Sequence, residues 1–261
     1  MTDAMPAPFD VKLMNLTASV LFAGFGVLVL GAAFWWVLRN PAFAIGGISV
    51  QGELTHNNAV TLRANVAPKL AGTFFTVDLA ATRTAFESVP WVRRATVRRE
   101  FPNRLKVVLQ EHAPVAYWGD DSESTLLNNF GEVFEANVGD VEADRLPRLN
   151  GPVEQAPQVL AMHNAIKPVL EPLDSVPETL ELSGRGGWRV TLDSGAVIEL
   201  GGGTQDEVVA RLKRFVFTLT QVASRYGRKP DALESADLRH SDGYALRLRG
   251  VTTTTLDAKK K

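Results

Sequence analysis

The sequence predicts an α+β protein that consists of a single transmembrane helix followed by two domains. Three observations predict it. Residues 13–38 form an uncharged apolar run; residues 43–116 follow the order strand, helix, helix, strand, strand; and residues 117–250 consist mainly of short strands separated by turn residues. The length beyond the apolar run suits two modest domains better than one large domain.

The apolar run is long enough to be a transmembrane helix. At 1.5 Å per residue, residues 13–38 reach about 39 Å, which exceeds a hydrocarbon core of roughly 30 Å. Trp35 and Trp36 stand near its end, where indole rings favour the membrane–water boundary. A cleaved signal peptide is the alternative, with residues 42–44 as an A-x-A site, but its apolar part is normally only about 7 to 15 residues. The sequence therefore favours an uncleaved anchor.

The flanking charges do not orient this helix. Lys12 precedes it and Arg39 follows it, so the excess of basic residues that marks the cytoplasmic side is missing. We expect residues 1–12 to lie in the cytoplasm, because a short N-terminus followed by one anchor and an exported bulk is a common signal-anchor arrangement.

Charge and cysteine content exclude several classes of function. The formal net charge is −1, which argues against general nucleic-acid binding, although residues 93–106 are basic and residues 120–144 are acidic. Solvated faces explain these stretches more simply than orientation of a partner does. The basic stretch also lacks interleaved aromatic residues that would stack on bases. Because cysteine is absent, disulfides and thiol chemistry are excluded.

The elements of the first domain follow from turn residues and from periodicity. Asp78 is a good helix N-cap, and Pro102 marks the turn of a hairpin. In the strand before this turn, Ala95 and Val97 face inward while arginines alternate with them. The predicted elements are a strand at 45–50, helices ending near 66 and at 79–88, and strands at 92–101 and 105–110. Together they describe two helices packed on a three-stranded sheet.

The second domain is predicted to be a mainly antiparallel sheet with packed helices. Helix 206–226 has an apolar stripe at helical spacing that is suited to cover this sheet. The predicted elements are a hairpin of 125–128 with 133–134, a polar connection at 146–152, a helix at 159–166 that breaks or bends near Pro168, a meander of 179–182, 188–192 and 197–200, the helix 206–226, and a last hairpin of 233–238 with 244–248. Residues 251–261 are expected to form a disordered tail.

Residues 201–203, three successive glycines before a helix, resemble a phosphate-binding loop only at first sight. Thr204 and Glu207 fit a capping box, in which the helix satisfies its own first amides. Asp206 and Glu207 in the first turn would repel phosphate, and no lysine follows at the Walker spacing. We therefore expect a structural turn at this position.

No catalytic or metal-binding motif is present in the sequence. There is no H-E-x-x-H, G-x-S-x-G or S-x-x-K motif, and His56, His112, His163 and His240 are scattered along the chain. His163 has no histidine or carboxylate four residues later that would complete a ligand pair. We expect a protein without cofactor, metal or enzymatic activity.

The last hairpin is the remaining candidate for function. A terminal strand after a turn is expected at a sheet edge, where unpaired amides and carbonyls can accept another strand. Tyr244, Leu246 and Leu248 share one face of this strand, and Ala245 and Arg247 share the other. Judged from the residues alone, protection of the edge from aggregation by Arg247 and Arg249 is the favoured interpretation.

Four segments of the first domain are specific enough to compare with known families. They are Pro90-Trp91-Val92, Val97-Arg98-Arg99, Phe101-Pro102-Asn103-Arg104-Leu105-Lys106-Val107 and Glu111-His112-Ala113-Pro114-Val115-Ala116. Through these segments the first domain resembles the POTRA domain of the FtsQ/DivIB family of bacterial cell-division proteins. Through Asp237-Leu238-Arg239 and the turn Ser241-Asp242-Gly243, the last hairpin is similar to the terminal hairpin of the same family.

The resemblance implies a scaffold of the division machinery. It implies a single-pass protein of the inner membrane at the division septum, with a POTRA domain at 43–116, a β-domain at 117–250 and the bulk in the periplasm. FtsB, joined to FtsL, would bind by strand addition, and other division proteins would bind the POTRA domain. The implied partner-binding residues are Arg239, His240, Ser241, Asp242, Gly243, Tyr244, Leu246 and Leu248, and Arg185 is a weaker candidate.

Two other functions stay open at this stage. A POTRA-bearing component of outer-membrane protein assembly or secretion is one, although it would ordinarily have several POTRA repeats or a barrel of lipid-facing strands. A cell-wall enzyme on a membrane anchor is the other.

Overall fold

An apolar helix, α1, spans Phe9–Arg39 and is long and apolar enough to cross a membrane. None of its residues is buried by the protein itself. The computed structural model describes residues 9–52, 54–120, 124–137, 146–240 and 243–251, so the expectations for residues 1–8 and for a tail from 252 onward lie outside it. The chain divides into two units, Met1–Glu111 and His112–Lys261.

The first unit contains the predicted three-stranded sheet with two helices. The sheet order is β1-β3-β2, in which β1 is parallel and β2 antiparallel to the central β3. Leu62, Phe86 and Val107 belong to its buried core. The elements after α1 are β1 (Gly47–Gly52), α2 (Ala59–Val66), α3 (Leu79–Glu87), β2 (Val92–Glu100) and β3 (Arg104–Glu111). The predicted order of elements is confirmed.

Local chemistry explains where these elements begin and end. The carboxylate of Asp78 accepts the amides of Ala80 and Ala81 at 2.8 and 3.1 Å, as expected for the N-cap of α3. Trp91, between α3 and β2, has φ of +72° and is 4 % exposed. A bulky residue is strained in this conformation, and Trp91 is held there while its ring stacks on His56 at 3.9 Å.

The buried carboxylate of Glu111 fixes the loop between β1 and α2. It accepts the backbone amides of Thr55, His56 and Asn57, each at 3.0 Å. It also accepts the side-chain amide of Asn57 at 3.0 Å and lies 3.2 Å from Nδ1 of His56. Several donors on one carboxylate compensate for its burial, which without partners would be very costly.

We predict that Glu111→Ala opens this loop, because three backbone amides lose their charged acceptor at the same time. Hydrogen–deuterium exchange of the amides of residues 55–57 should accelerate about 100-fold, which corresponds to roughly 3 kcal/mol. Glu100→Ala, which removes an exposed carboxylate of β2, is the control and should leave this exchange unchanged. Equal exchange in Glu111→Ala and the parent protein would contradict the assignment.

The second unit is built on one nine-stranded sheet of mixed direction. Its strand order is β12-β11-β10-β9-β8-β7-β4-β5-β6. Its elements are β4 (Pro114–Trp118), β5 (Thr125–Asn128), β6 (Val133–Glu135), β7 (Arg148–Asn150), α4 (Ala156–Leu170), β8 (Pro177–Leu182), β9 (Trp188–Leu192), β10 (Val197–Gly201), α5 (Gln205–Arg225), β11 (Leu233–Asp237) and β12 (Ala245–Leu248). The antiparallel meander β8-β9-β10 is confirmed.

Three features differ from the sequence-based expectations. The expected first-domain boundary at residue 116 lies within β4, which belongs to the second sheet. The expected connection at 146–152 contains β7, which pairs in parallel with both β4 and β8. Of the break or bend predicted near Pro168, the break is wrong, because α4 continues to Leu170, and the bend stays a prediction. Proline removes one backbone hydrogen bond, but burial of Ile166, Val169 and Leu170 stabilises the turn around it.

Helices α4 and α5 pack on the sheet and share one core with it. The capping box of α5 is confirmed: the Thr204 amide donates to Glu207 Oε2 at 2.8 Å, and the Glu207 amide donates to Thr204 Oγ1 at 3.4 Å. The buried positions of α5 include Val208, Leu212, Phe215 and Leu219, which confirms the predicted apolar stripe.

Candidate partner-binding edge

Strand β12 lies at one edge of the nine-stranded sheet, as the sequence predicts for the last hairpin. It pairs antiparallel with β11, with Ala236 opposite Leu246 and Asp237 opposite Ala245. β11 in turn pairs in parallel with β10. Because two parallel strands need a crossover connection, α5 links β10 to β11 and leaves the outermost position to β12.

The backbone groups of β12 alternate between β11 and the open side of the sheet. The Arg249 amide donates to the Ala232 carbonyl at 2.8 Å, so the backbone at Arg249 faces the β11 side. Since N–H and C=O groups of alternate residues point the same way, those of Leu248, Leu246 and Tyr244 point away from β11. The Leu248 carbonyl already accepts the Val251 amide at 3.2 Å.

The neighbouring strand gives the same assignment. The Leu238 amide donates to the backbone carbonyl of Glu199 at 2.8 Å, so the backbone of Leu238 faces β10. The backbone of Asp237 therefore faces β12, where it meets Ala245. The backbone groups at Ala245 are thus used within the sheet, and those at Leu246 are directed outward.

The apolar side chains of this segment face the protein's own core. Leu248 is buried, and Leu246 and Tyr244 are half-buried against the same core. The Tyr244 hydroxyl lies 2.7 Å from Thr218 Oγ1 on α5, and its ring meets the Phe215 ring edge-on at 5.0 Å. These three side chains hold the edge strand in place and leave the backbone as its outward contact surface.

The other face of β12 is exposed and basic. Ala245 and Arg247 are both exposed, and Arg247 lies 3.6 Å from Glu234 on β11. Both partners of this ion pair are largely solvated, so it contributes little to stability. Arg247 is therefore accessible to an acidic group of a partner.

The segment before the strand begins with an Arg239–Asp237 ion pair. Arg239 Nε lies 2.9 and 3.1 Å from the two carboxylate oxygens, and Nη2 lies 2.5 Å from Oδ2. His240 and Gly243 are exposed. The expected site residues Ser241 and Asp242 lie outside the described residues.

Side chains of α5 border the same region and were not expected from the sequence. An open cleft of about 590 Å³ lies between α5 and the segment that leads into β12, and its lining includes Arg211, Arg214, Phe215, His240 and Tyr244. Arg211 donates to the Leu200 carbonyl and, at 3.2 Å, to the Gly202 carbonyl, so it stabilises the turn before α5. Arg214 is exposed and adds positive charge beside the hairpin.

The glycine-rich turns lie at the same end of this sheet. A Cβ atom on Gly202 would approach the Gly186 carbonyl to 3.2 Å, and one on Gly201 would lie 3.4 Å from the Cα atom of Arg239. Arg185, in the turn next to Gly186, is exposed. The fold thus brings the turn that contains Arg185 towards the segment that contains Arg239.

Two family models match the chain, one for each unit. Residues 43–112 match the FtsQ-type POTRA domain, and residues 116–239 match the C-terminal region of cell division protein FtsQ/DivIB. Cell division protein FtsQ of Burkholderia pseudomallei is 39 % identical over 253 residues, which cover 97 % of this chain and 98 % of that protein. The chain belongs to the FtsQ/DivIB family.

Other FtsQ/DivIB proteins have similar identity. Cell division protein FtsQ of Thiomonas arsenitoxydans is 37 % identical over 94 % of this chain and 89 % of its own length. That of Bordetella pertussis is 35 % identical over 92 % of each chain. Membership in the FtsQ/DivIB family makes the chain a cell-division protein and favours that function over outer-membrane assembly or secretion. It implies interactions with other proteins of the division machinery.

We predict that Arg239 controls the titration of Asp237. The hydrogen bond from the Arg239 side chain lowers the pKa of Asp237 to about 2, whereas an unpaired aspartate titrates near 4. The stability from this pair is therefore present above about pH 4 and is lost as the pH falls towards 2. In Arg239→Ala, the pKa of Asp237 should rise towards about 4 in an acid titration followed by carboxyl ¹³C NMR.

Arg185→Ala is the matched control for this titration, because it removes an exposed arginine that the structure does not pair with Asp237. It should leave the pKa of Asp237 near its value in the parent protein. A pKa that stays near 2 in Arg239→Ala would show that the ion pair does not cause the shift.

Proposed function

We propose that the chain is a scaffold of the division machinery and that it holds the FtsB–FtsL complex by accepting a strand of FtsB along β12. The observation that supports this most is the edge position of β12, with the backbone groups of Tyr244 and Leu246 and the amide of Leu248 directed away from β11. Added strands obtain affinity from such main-chain groups and specificity from flanking side chains.

The remaining proposed site residues flank this strand. Arg239, His240, Ser241, Asp242 and Gly243 form the segment that leads into it, and exposed cations nearby would attract an acidic partner segment. Among the described residues, no group of three histidine, aspartate or glutamate side chains could hold a metal ion. In this proposal the protein recruits and holds partners and has no reaction, cofactor or metal of its own.

The proposed location is the bacterial inner membrane at the division septum. α1 would cross the membrane once, with residues 1–12 in the cytoplasm and both units in the periplasm. Its apolar length and membership of the chain in a cell-division family support this arrangement. The POTRA domain would contact other division proteins, and the β-domain would contact FtsB and FtsL.

We predict that Leu246→Pro weakens FtsB binding while the chain stays folded. Proline lacks the amide N–H, and at position 246 that group points away from β11, so no bond within the sheet is removed. Proline would remove the hydrogen bond that the amide of residue 246 donates to the added strand, and its ring would obstruct that strand. Together these effects should reduce the affinity for FtsB about 10- to 100-fold. Isothermal titration calorimetry or a quantitative pull-down with the periplasmic part of FtsB measures the change.

Leu246→Ala is the matched control. It loses the half-buried side chain but keeps the outward N–H, so it should lower the unfolding temperature and retain affinity within a few-fold of the parent protein. Circular dichroism of both variants establishes that the sheet is intact. Undiminished FtsB binding by a folded Leu246→Pro variant would overturn strand addition at β12.

In cells, we expect depletion of the protein to produce undivided filaments, because the division proteins would lack the scaffold that joins them. Light microscopy of cell length measures this outcome, and a plasmid copy of the parent gene should restore division. The Leu246→Ala copy should also restore division, whereas the Leu246→Pro copy should not. Normal cell length after complete depletion would exclude an essential role in division.

A further inference from the structure

Two exposed aromatic rings lie beside the end of α1, outside the proposed FtsB site. Phe101, in the turn between β2 and β3, is 78 % exposed, and Phe75, between α2 and α3, is 39 % exposed. Both rings contact the buried ring of Phe74, at centroid distances of 5.3 and 5.2 Å. Phe43, just after α1, meets Phe75 edge-on at 5.2 Å. We call Phe43, Phe75 and Phe101 the junction face.

Direct contacts hold this face against the last turns of α1. Thr73 Oγ1 donates to the Leu38 carbonyl at 2.7 Å, and the Phe74 amide donates to the Phe43 carbonyl at 2.8 Å. Thr76 lines a small cleft together with Trp35 and Leu38 of the helix. The residues around Phe75 therefore lie level with the end of α1, where Trp35 and Arg39 are typical of the membrane–water boundary.

The junction face is also held rigidly. The guanidinium group of Arg99 donates to the carbonyls of Phe74 and Val77, both at 2.7 Å, and to that of Phe75 at 3.3 Å. On the other side, the Gly46 amide donates to the Asn103 carbonyl at 2.8 Å. These bonds fix the turn that contains Phe101 and the segment that contains Phe75 relative to the residues that follow α1.

We propose that the junction face of the first unit lies in the lipid headgroup region of the bilayer that α1 crosses, with the rings of Phe75 and Phe101 inserted at the boundary with the acyl chains. This inference rests on the membrane anchoring proposed above. Continuity with the apolar helix identifies lipid as the occupant, and amphipathic boundary regions take up aromatic rings in this way.

The basic residues around the rings fit the same surface. Arg39 lies over the Trp35 ring at 4.7 Å, and the strand ends next to Phe101 contribute exposed Arg98 and Arg104. Glu100 is the opposing charge, directly across from Arg104 in the strand pairing. Cations beside inserted rings would contact lipid phosphates, so the proposed contact combines apolar insertion with charge attraction.

Site-directed spin labelling of the full chain tests the proposal, because the native sequence has no cysteine. Phe101→Cys is labelled with a nitroxide in nanodiscs of phosphatidylethanolamine and phosphatidylglycerol. Collision rates with oxygen and with a water-soluble nickel chelate are then measured. We expect the label to be shielded from nickel and accessible to oxygen, at a depth of about 5 to 10 Å below the phosphates.

Two control positions separate this inference from membrane anchoring itself. Val60→Cys, in α2, is matched in exposure, since Val60 is 73 % exposed. Val60 follows the loop that Glu111 binds, and Glu111 lies about 23 Å from Arg104 along β3. Val60 is therefore far from the turn that contains Phe101, and a label at position 60 should be accessible to nickel. Val27→Cys, in α1, should report lipid.

Each pattern decides the question. The junction-face contact alone is overturned if the label at position 27 reports lipid while the label at position 101 is as accessible to nickel as the label at position 60. A label at 27 that reports water overturns both the anchoring and this contact. A label at 101 shielded from oxygen and nickel alike indicates that protein covers the face, most simply a second copy, and also overturns the proposal.

A second measurement moves the label away from position 101 and compares two proteins that carry it at the same place, so that a preference of the label for lipid affects both equally. The label is attached to Ala44→Cys, an exposed position in the same segment as Phe43. The double change Phe75→Ser with Phe101→Ser should then raise the collision rate with nickel at position 44, because the domain is no longer held at the bilayer surface. An unchanged rate in a folded double variant overturns the proposal.

Discussion

The parallel pairing of β11 with β10 is the constraint on which the candidate binding edge depends. Two parallel neighbours cannot be joined by a tight turn, so the chain must cross over the sheet through α5 before it returns as β11. From β11 the chain continues to β12, which pairs antiparallel with β11 at the sheet edge. Packing of α5 on the sheet therefore determines where the edge is, and each large apolar residue buried there contributes about 1.5–3 kcal/mol.

The edge strand separates two tasks between its side chains and its backbone. The side chains of Tyr244, Leu246 and Leu248 are occupied by the core and by Thr218, whereas the main-chain groups of the same residues are directed outward. A strand in this situation can accept a partner without rearranging its own core. Its apolar residues are consequently constrained by folding, and the residues that can vary to suit a partner are those on the exposed face and in the preceding segment.

Much of the fold could be predicted because long periodic patterns and specific caps report on local structure. The stripe of α5 and its capping box needed only the sequence, and the terminal position of the last hairpin indicated an edge strand. β7 could not be predicted, since three residues, Arg148–Asn150, are too few to establish an alternation. The continuation of α4 through Pro168 could not be predicted either, because it depends on core packing, which helix propensities do not include.

The candidate site was predictable in its strand and not in its surroundings. Strand position follows from the order of elements, and the alternation of Tyr244 to Leu248 follows from the pleat of a strand. Arg211 and Arg214 line this region because α5 crosses back over the sheet. Their spacing of three residues predicts that they share one side of a helix, but it does not predict which segment that side faces. Side-chain proximity across a crossover is a property of the tertiary structure.

The carboxylate of Glu111 has a consequence for the order in which the first unit can form during synthesis. Its partner Thr55 precedes it by 56 residues, and Glu111 is the last residue of β3. Because the chain is synthesised from its N-terminus, residues 55–57 are made well before Glu111, the residue that accepts hydrogen bonds from their backbone amides. The loop between β1 and α2 can therefore reach its final hydrogen bonds only after the end of β3 has been synthesised.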